Sequence, residues 1–332
     1  MKSPTTLAFL LESFFTRRLM NQRQASPHTI SSYRDTFRLL LQFTQRRLNK
    51  PLSQLTFEEI DALLVTAFLE DLEKNRGITA RSRNLRLTAI RSFFRYAAYE
   101  EPSRSSQIQR VLAIPSKRHT RPLVHFLERP EIDALLAAPD QTTWFGRRDH
   151  ALLLVAVQTG LRLSELTGLG RTDVILGTGA HVRCMGKGRK ERCTPLTKTT
   201  VAVLKAWLRE PPRRNTEMLF PSASGGRLSA DSAEDLLDKH VAVASRTCPS
   251  LCKKRVTPHV LRHTAAMELL QAGVDRAVIA LWLGHESVET TQIYLDANLT
   301  LKEEILAKIT MPNGKPGRYK AGDELLAFLQ HL

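Results

Sequence analysis

The chain has 332 residues, 42% of them hydrophobic, enough for two domains with substantial cores. Its 49 Lys and Arg outnumber 33 Asp and Glu, a formal charge of +16, which leaves a compact protein self-repelling unless a polyanion such as nucleic acid relieves it. No apolar run approaches the ~18–20 residues that span a bilayer, and the opening stretch with its lone Lys2 has no signal-peptide core, so neither membrane attachment nor secretion is expected and a cytoplasmic location is.

The basic excess is not confined to one tail: residues 1–120 hold 20 basic and 10 acidic side chains, and the remainder 29 and 23. Residues 1–110 read as a helical unit. Ile30, Tyr33, Phe37, Leu40 and Leu41 recur at helical spacing, with Arg34, Arg38, Arg46 and Arg47 between them and Pro27 and Thr29 at the start. A second helix is predicted from about Thr56 to Lys74 on Ile60, Leu63, Leu64, Phe68 and Leu72, with Gly77 as its stop. A third carries Leu85, Ile90, Phe93, Phe94 and Tyr96. Beside them stand Arg81, Arg83, Arg86, Arg91 and Arg95, with no acid until Glu100. Arginines on an apolar helix usually mark a solvated face, but five without a counter-charge suggest a surface that meets phosphates.

Residues 111–124 hold Pro115, Pro122 and the basic group Lys117, Arg118 and Arg121 with little periodicity, so they are expected to form a basic linker along a nucleic-acid backbone. Residues 125–310 form the second expected domain. It opens at Glu128-Arg129-Pro130-Glu131, continues through an apolar helix from Asp149 to Gln158 that Gly160 should end, and includes a hairpin of Val182–Met185 and Arg192–Leu196 around Gly186-Lys187-Gly188. Helices are expected from there on, so the class is mainly α with a small antiparallel sheet. In the tail, 311–332, Met311–Gly322 reads as a hinge. Leu325, Leu326, Phe328 and Leu329 read as an apolar patch for docking between protomers, as does the stretch Thr300–Ile309. The four cysteines lack the tight knuckle spacing of a zinc site, so reduced thiols and no metal are expected.

The residues that would carry chemistry are cations, imidazoles and one phenol. Breaking a phosphodiester requires neutralised non-bridging oxygens, a nucleophile and a proton for the departing oxygen. Guanidinium suits the first task, since it stays charged and its fork matches two phosphate oxygens; Arg162 and Arg262 are the candidates. Thr257 and Pro258 should cap a helix whose first turn presents His259 and Arg262 on one face, and a helix start attracts phosphate. His263 should point elsewhere and serve structure. Taken alone, Glu165 near Arg162 would be a surface ion pair, and Lys187 a solvated turn lysine with Lys190 as a rival. Tyr294 would ordinarily be a packing residue; it becomes a nucleophile only if nearby cations favour its oxyanion, because a free phenol has a pKa near ~10.

The strings Thr159-Gly160-Leu161-Arg162-Leu163-Ser164-Glu165-Leu166, Gly186-Lys187-Gly188-Arg189-Lys190-Glu191-Arg192, Pro258-His259-Val260-Leu261-Arg262-His263, Leu283-Gly284-His285 and Thr290-Thr291-Gln292-Ile293-Tyr294 follow one another in this order. In this the chain resembles the tyrosine recombinase (phage integrase) family, most closely its Xer-type and transposon-borne members, from about Phe126 to Leu299 and more loosely before it. The resemblance implies a helical core-binding domain followed by a catalytic domain. It places the family's catalytic set on Arg162, Lys187, His259, Arg262, His285 and the nucleophile Tyr294, with Lys187 as general acid and Glu165 in support. It further implies a 3′-phosphotyrosine intermediate that needs no ATP, metal or other cofactor. The partner would be double-stranded DNA bearing specific sites, held by a homo- or hetero-tetramer together with other recombinases or accessory proteins. Integration, transposition and dimer resolution are all compatible roles. A type IB-like topoisomerase and a non-catalytic DNA-binding protein on the same fold are the alternatives.

Overall fold

The computed structural model describes residues 6–120, 124–186, 191–211 and 214–284, and the chain divides into two compact units, Met1–Arg121 and Pro122–Leu332. Both are mainly helical, with a small antiparallel sheet in the second.

In the first unit, α1 (Leu7–Ser13) is capped by Thr6 and passes into a π-helix, Phe14–Gln22. α2 (Pro27–Leu48) starts as expected: the Ser26 hydroxyl accepts from Thr29 N–H at 3.2 Å and Pro27 occupies the first turn, where its missing N–H costs nothing. α3 (Ala62–Arg76) ends at Gly77, whose φ of +60° closes the last turn. α4 (Ala80–Glu100) and α5 (Ser105–Leu112) complete the unit. Phe14, Phe37, Phe57, Phe93 and Phe94 meet in its core, mostly edge to face or tilted.

Three expectations change here. The second helix begins at Ala62 rather than near Thr56, because Thr56 N–H bonds to Glu59 Oε2 at 2.9 Å and Asp61 takes the cap; Phe57 and Ile60 are buried in that turn before the helix. Leu63 and Leu85, two of the apolar positions on which these helices were read, are exposed. The segment expected as linker from residue 111 is bound to this unit at least as far as Lys117. Val111 and Ile114 are buried, Arg83 donates to Pro115 O at 3.1 Å, Arg91 to Ile114 O and to Ser116 Oγ, and the Asn84 amide both donates to Lys117 O and accepts from Lys117 N. Prolines gave this stretch a loop composition, but its apolar side chains close the core.

In the second unit, α6 (Arg129–Ala137), α9 (Lys198–Arg209) and α11 (Pro258–Gln271) pack against the buried α7 (Trp144–Thr159). α7 starts at Trp144, five residues before the expected Asp149, because Thr143 caps it and the charges that hid its first turns are internally satisfied. Arg148 donates to Asp149 Oδ1 and Pro221 O at 2.8 Å, and His240 of α10 (Ala230–Ala244) lies 2.9 Å from Asp149 Oδ2. The sheet runs β1 (Val174–Ile175), β2 (His181–Met185), β3 (Glu191–Pro195), with Val174 opposite Val182 and Met185 opposite Glu191. α8 (Leu163–Leu166) follows α7, and α12 (Arg276–Leu283) follows α11. Met267, Leu270, Ile279 and Leu283 join α11 to α12 in a small separate core, with Val124 and Phe126 against it. All four cysteines are free thiols, and burial pushes the Cys184 thiol up to about 11. No described helix is long and apolar enough to cross a membrane.

Candidate active site

Three helix ends meet in the second unit: the end of α7, the start of α8 and the end of α12. Gly160 ends α7 at φ +62°, and a Cβ there would lie 2.6 Å from Leu283 Cδ2 and 3.0 Å from Ala265 Cβ. Only glycine permits both the left-handed turn and the close approach of α11 and α12. Gly284 ends α12 in the same way, at φ +63°.

These turns expose carbonyls that two distant arginines fill. Arg262, 4% exposed in α11, donates through Nη1 to Gly160 O and through Nη2 to Leu283 O, both at 2.7 Å. Arg162, at the cap of α8, donates through Nη2 to Gly284 O at 3.0 Å. Consecutive carbonyls of one turn therefore hold the guanidinium groups of Arg162 and Arg262 as neighbours. The end of a helix is the negative pole of its dipole, which favours cations there.

Glu165 lies beneath this pair. Its Oε1 accepts from Arg162 Nη1 at 2.9 Å and its Oε2 from Arg162 N–H at 2.8 Å. A third arginine completes the carboxylate: Arg192 of β3 donates Nη1 to Oε1 at 3.1 Å and Nη2 to Oε2 at 2.8 Å. Burial by itself would raise the Glu165 pKa, but the hydrogen bonds from Arg192 and from the Arg162 backbone outweigh it and hold the carboxyl below its ordinary value. Arg192 was missed as a site residue in the sequence. It stands five positions after Lys187 in a basic run, and nothing local separates it from Arg189 or Lys190.

Thr257 caps α11 through Val260 N–H at 3.3 Å with Pro258 in the first turn, as expected. His259 is exposed in that turn. His263 lies one turn on, its ring centroid 6.4 Å from that of His259 and nearly parallel; burial, then the neighbouring His259 and Arg262, push its pKa down to about 4. Thr264 ties α11 to the start of the unit by accepting from Leu127 N–H at 2.9 Å.

Arg162, Glu165 and Arg262 are thus brought together, with His259 in the first turn of the helix that carries Arg262. Lys187, His285 and Tyr294 lie outside the described residues, as do Arg121 and the tail segments read as hinge and docking patch. In the first unit the five arginines of α4 divide. Arg81 and Arg95 are exposed; Arg86 is half-buried and donates to Ser32 O and Thr36 Oγ1. Arg83, 4% exposed, and Arg91 hold the segment after α5. The phosphate-facing surface read from all five therefore does not extend to Arg83, whose guanidinium is turned inward. Arg118 is exposed, while Lys117 is paired with Glu73 at 2.8 Å.

The family model for the phage integrase family matches residues 125–300, and that for the phage integrase N-terminal SAM-like domain matches residues 13–101. A protein of Sinorhizobium fredii (strain NBRC 101917 / NGR234), named provisionally as integrase/recombinase y4rC, is 68% identical over all 332 residues of both chains. The tyrosine recombinase XerC of Pelobacter propionicus is 32% identical over 295 residues, 89% of this chain and 93% of its own. The recombinase XerH, solved on its palindromic difH substrate after cleavage, shares the fold with a TM-score of 0.69 at 22% identity, over 89% of this chain and 84% of its own. The chain belongs to the phage integrase family, the tyrosine recombinases, with a SAM-like helical domain ahead of the catalytic one.

Proposed function

We propose that this chain is a site-specific DNA recombinase that cuts and rejoins strands through a 3′-phosphotyrosine intermediate. Arg162 and Arg262 hold the non-bridging oxygens of the scissile phosphate, whose added charge in the transition state they neutralise. Tyr294 attacks phosphorus and Lys187 protonates the departing 5′ oxygen. His285 donates a hydrogen bond to the phosphate, and His259 exchanges a proton with the phenol. A 5′ hydroxyl from a partner strand then displaces the tyrosine, so the energy of the broken bond is kept and no cofactor is consumed.

The observation that carries this reading is the convergence of Arg162 and Arg262 on the carbonyls of Gly284 and Leu283. From Gly284 the chain continues directly into His285. In the first unit, Arg81 and Arg95 lie ~21 Å apart along α4 and within ~40° of each other around it, and with Arg118 they form the phosphate contacts of the DNA-binding surface. The partners are duplex DNA with specific sites and further recombinase protomers assembled as a tetramer, and the compartment is the cytoplasm. Integration or transposition as part of a mobile element is the role favoured over dimer resolution.

The test is covalent capture. Wild-type protein is mixed with a randomised pool of nicked duplexes, and those that become protein-linked under denaturing conditions are sequenced. Recovery of one consensus, with linkage lost in Tyr294→Phe, is the expected result. A protein that binds the pool but links to none of it is a binding module. If linkage occurs but two labelled duplexes never exchange strands, the activity is that of a topoisomerase.

A further inference from the structure

Arg192 is the side chain of the site that sequence reasoning did not assign, and its surroundings are unusually constrained. It belongs to β3, is 11% exposed, and fills both oxygens of Glu165 with a two-pronged contact. Its side chain also lies close against Gly284, where a Cβ would come within 2.6 Å of Nη1 and 3.1 Å of Cζ. It therefore touches the same turn that supplies a carbonyl to Arg162. Glu165 accepts four hydrogen bonds, two from each arginine, which exhausts the acceptor sites of a carboxylate.

Two cations share one buried anion, and only one of them is placed for phosphate: Arg162 is 28% exposed at its side chain and Arg192 less than half that. When Arg162 turns its Nη1 toward a phosphate oxygen, a buried carboxylate left without a partner would pull it back, because an unpaired buried charge is strongly unfavourable. We propose that Arg192 is a positioning residue that keeps Glu165 paired so that Arg162 is released to the scissile phosphate. The proposal rests on the reading of Arg162 as a phosphate-binding cation.

The prediction is specific to charge balance. Removing Arg192 leaves Glu165 with Arg162 alone, so the carboxylate becomes an internal competitor for the phosphate. Neutralising the carboxylate in that background removes the competitor. Arg192→Met should slow single-turnover linkage to the captured nicked duplex on the order of 10²-fold, and Arg192→Met/Glu165→Gln should recover most of that loss. Arg192→Lys, which keeps the charge without the fork, should fall between. A second measurement needs no DNA: modification of Arg162 by phenylglyoxal, mapped by peptide mass. The modification should drop in Arg192→Met and return in the double variant. Thermal melts show that each variant is folded.

A double variant as slow as Arg192→Met, with Arg162 equally protected, would overturn the proposal and leave Arg192 as a packing residue. So would an Arg192→Met protein with wild-type linkage and wild-type Arg162 reactivity. If Arg162→Ala links DNA at the wild-type rate, or wild-type protein links none, the functional reading itself falls; the phenylglyoxal series still decides whether Arg192 governs the freedom of Arg162.

Discussion

The two units use arginine in the same chemical way to different ends. In α4, Arg83 and Arg91 donate to the adjacent carbonyls of Pro115 and Ile114, and Arg86 to that of Ser32, stitching the segment after α5 and the start of α2 to the helix. In the catalytic unit, Arg162 and Arg262 likewise donate to adjacent carbonyls, but they come from two different helices and Arg162 rests on the buried carboxylate of Glu165. Density of positive charge is higher in α4; the pair in the second unit differs in joining separate helices around one buried carboxylate.

The sharpest way to break this comparison is to remove each arginine of the catalytic pair in turn. Arg162→Ala should reduce covalent linkage by about 10³-fold or more while leaving the fold largely intact, as the melting midpoint will report. Arg262→Ala should lose linkage to the same extent and also lower the melting midpoint, since the carbonyls of Gly160 and Leu283 would lose buried donors. Equal linkage in either variant and wild type would mean that the pair has no chemical role.

A second contrast concerns the glycines that end helices in each unit. Gly77→Ala meets nothing within 4 Å and bears only the strain of its φ of +60°, roughly 1 kcal/mol. Gly160→Ala has the same strain plus contacts at 2.6 and 3.0 Å with Leu283 and Ala265. It should cost on the order of 3 kcal/mol and displace the turn that holds Arg262; denaturant titration and linkage rate measure the two effects.

Within α4, Arg95→Ala should shift the salt dependence of DNA binding by about one phosphate contact and leave stability within about 0.5 kcal/mol. Arg83→Ala should instead destabilise the first unit by about 1–3 kcal/mol, because Pro115 O loses its donor and Glu73 an ion-pair partner. A salt slope that changes for Arg83 and not for Arg95 would reverse the assignment of inner and outer arginines.

The remaining contrast is in acid stability. The His263 pKa is pushed from 6.5 to about 4, so below 6.5 the unfolded chain takes up a proton before the folded one does, and folding stability declines as pH falls toward 4. The lowered pKa of Glu165 acts in the same direction at lower pH: its contribution is full above 4.5 and is lost as pH falls through its folded value. His263→Gln should flatten the upper part of this decline, and melts of the two proteins from pH 7 to 4 will show whether it does.

Much of the site was legible because its signals are local. A glycine that ends a helix, a threonine and proline that begin one, and the hairpin around Gly186 follow from backbone chemistry within a few residues, and Gly160, Thr257 and Pro258 behave accordingly. The same local rules failed for Leu63 and Leu85, where helical spacing was present but, among the described residues, the side chains are exposed. They failed again after residue 111, where prolines masked apolar residues that complete a core.

By itself, then, the sequence determined the helical class, the order of the motifs and the residue types fit to hold a phosphate, since these depend on composition and short-range spacing. Tertiary structure alone decided that Arg162 meets the carbonyl of Gly284, 122 residues away, and Arg262 that of Gly160, 102 residues away. It also decided that Arg192 joins Glu165 while Arg83 turns inward. A guanidinium will bond to any carbonyl or carboxylate within reach, so its role is set by which backbone the fold brings to it.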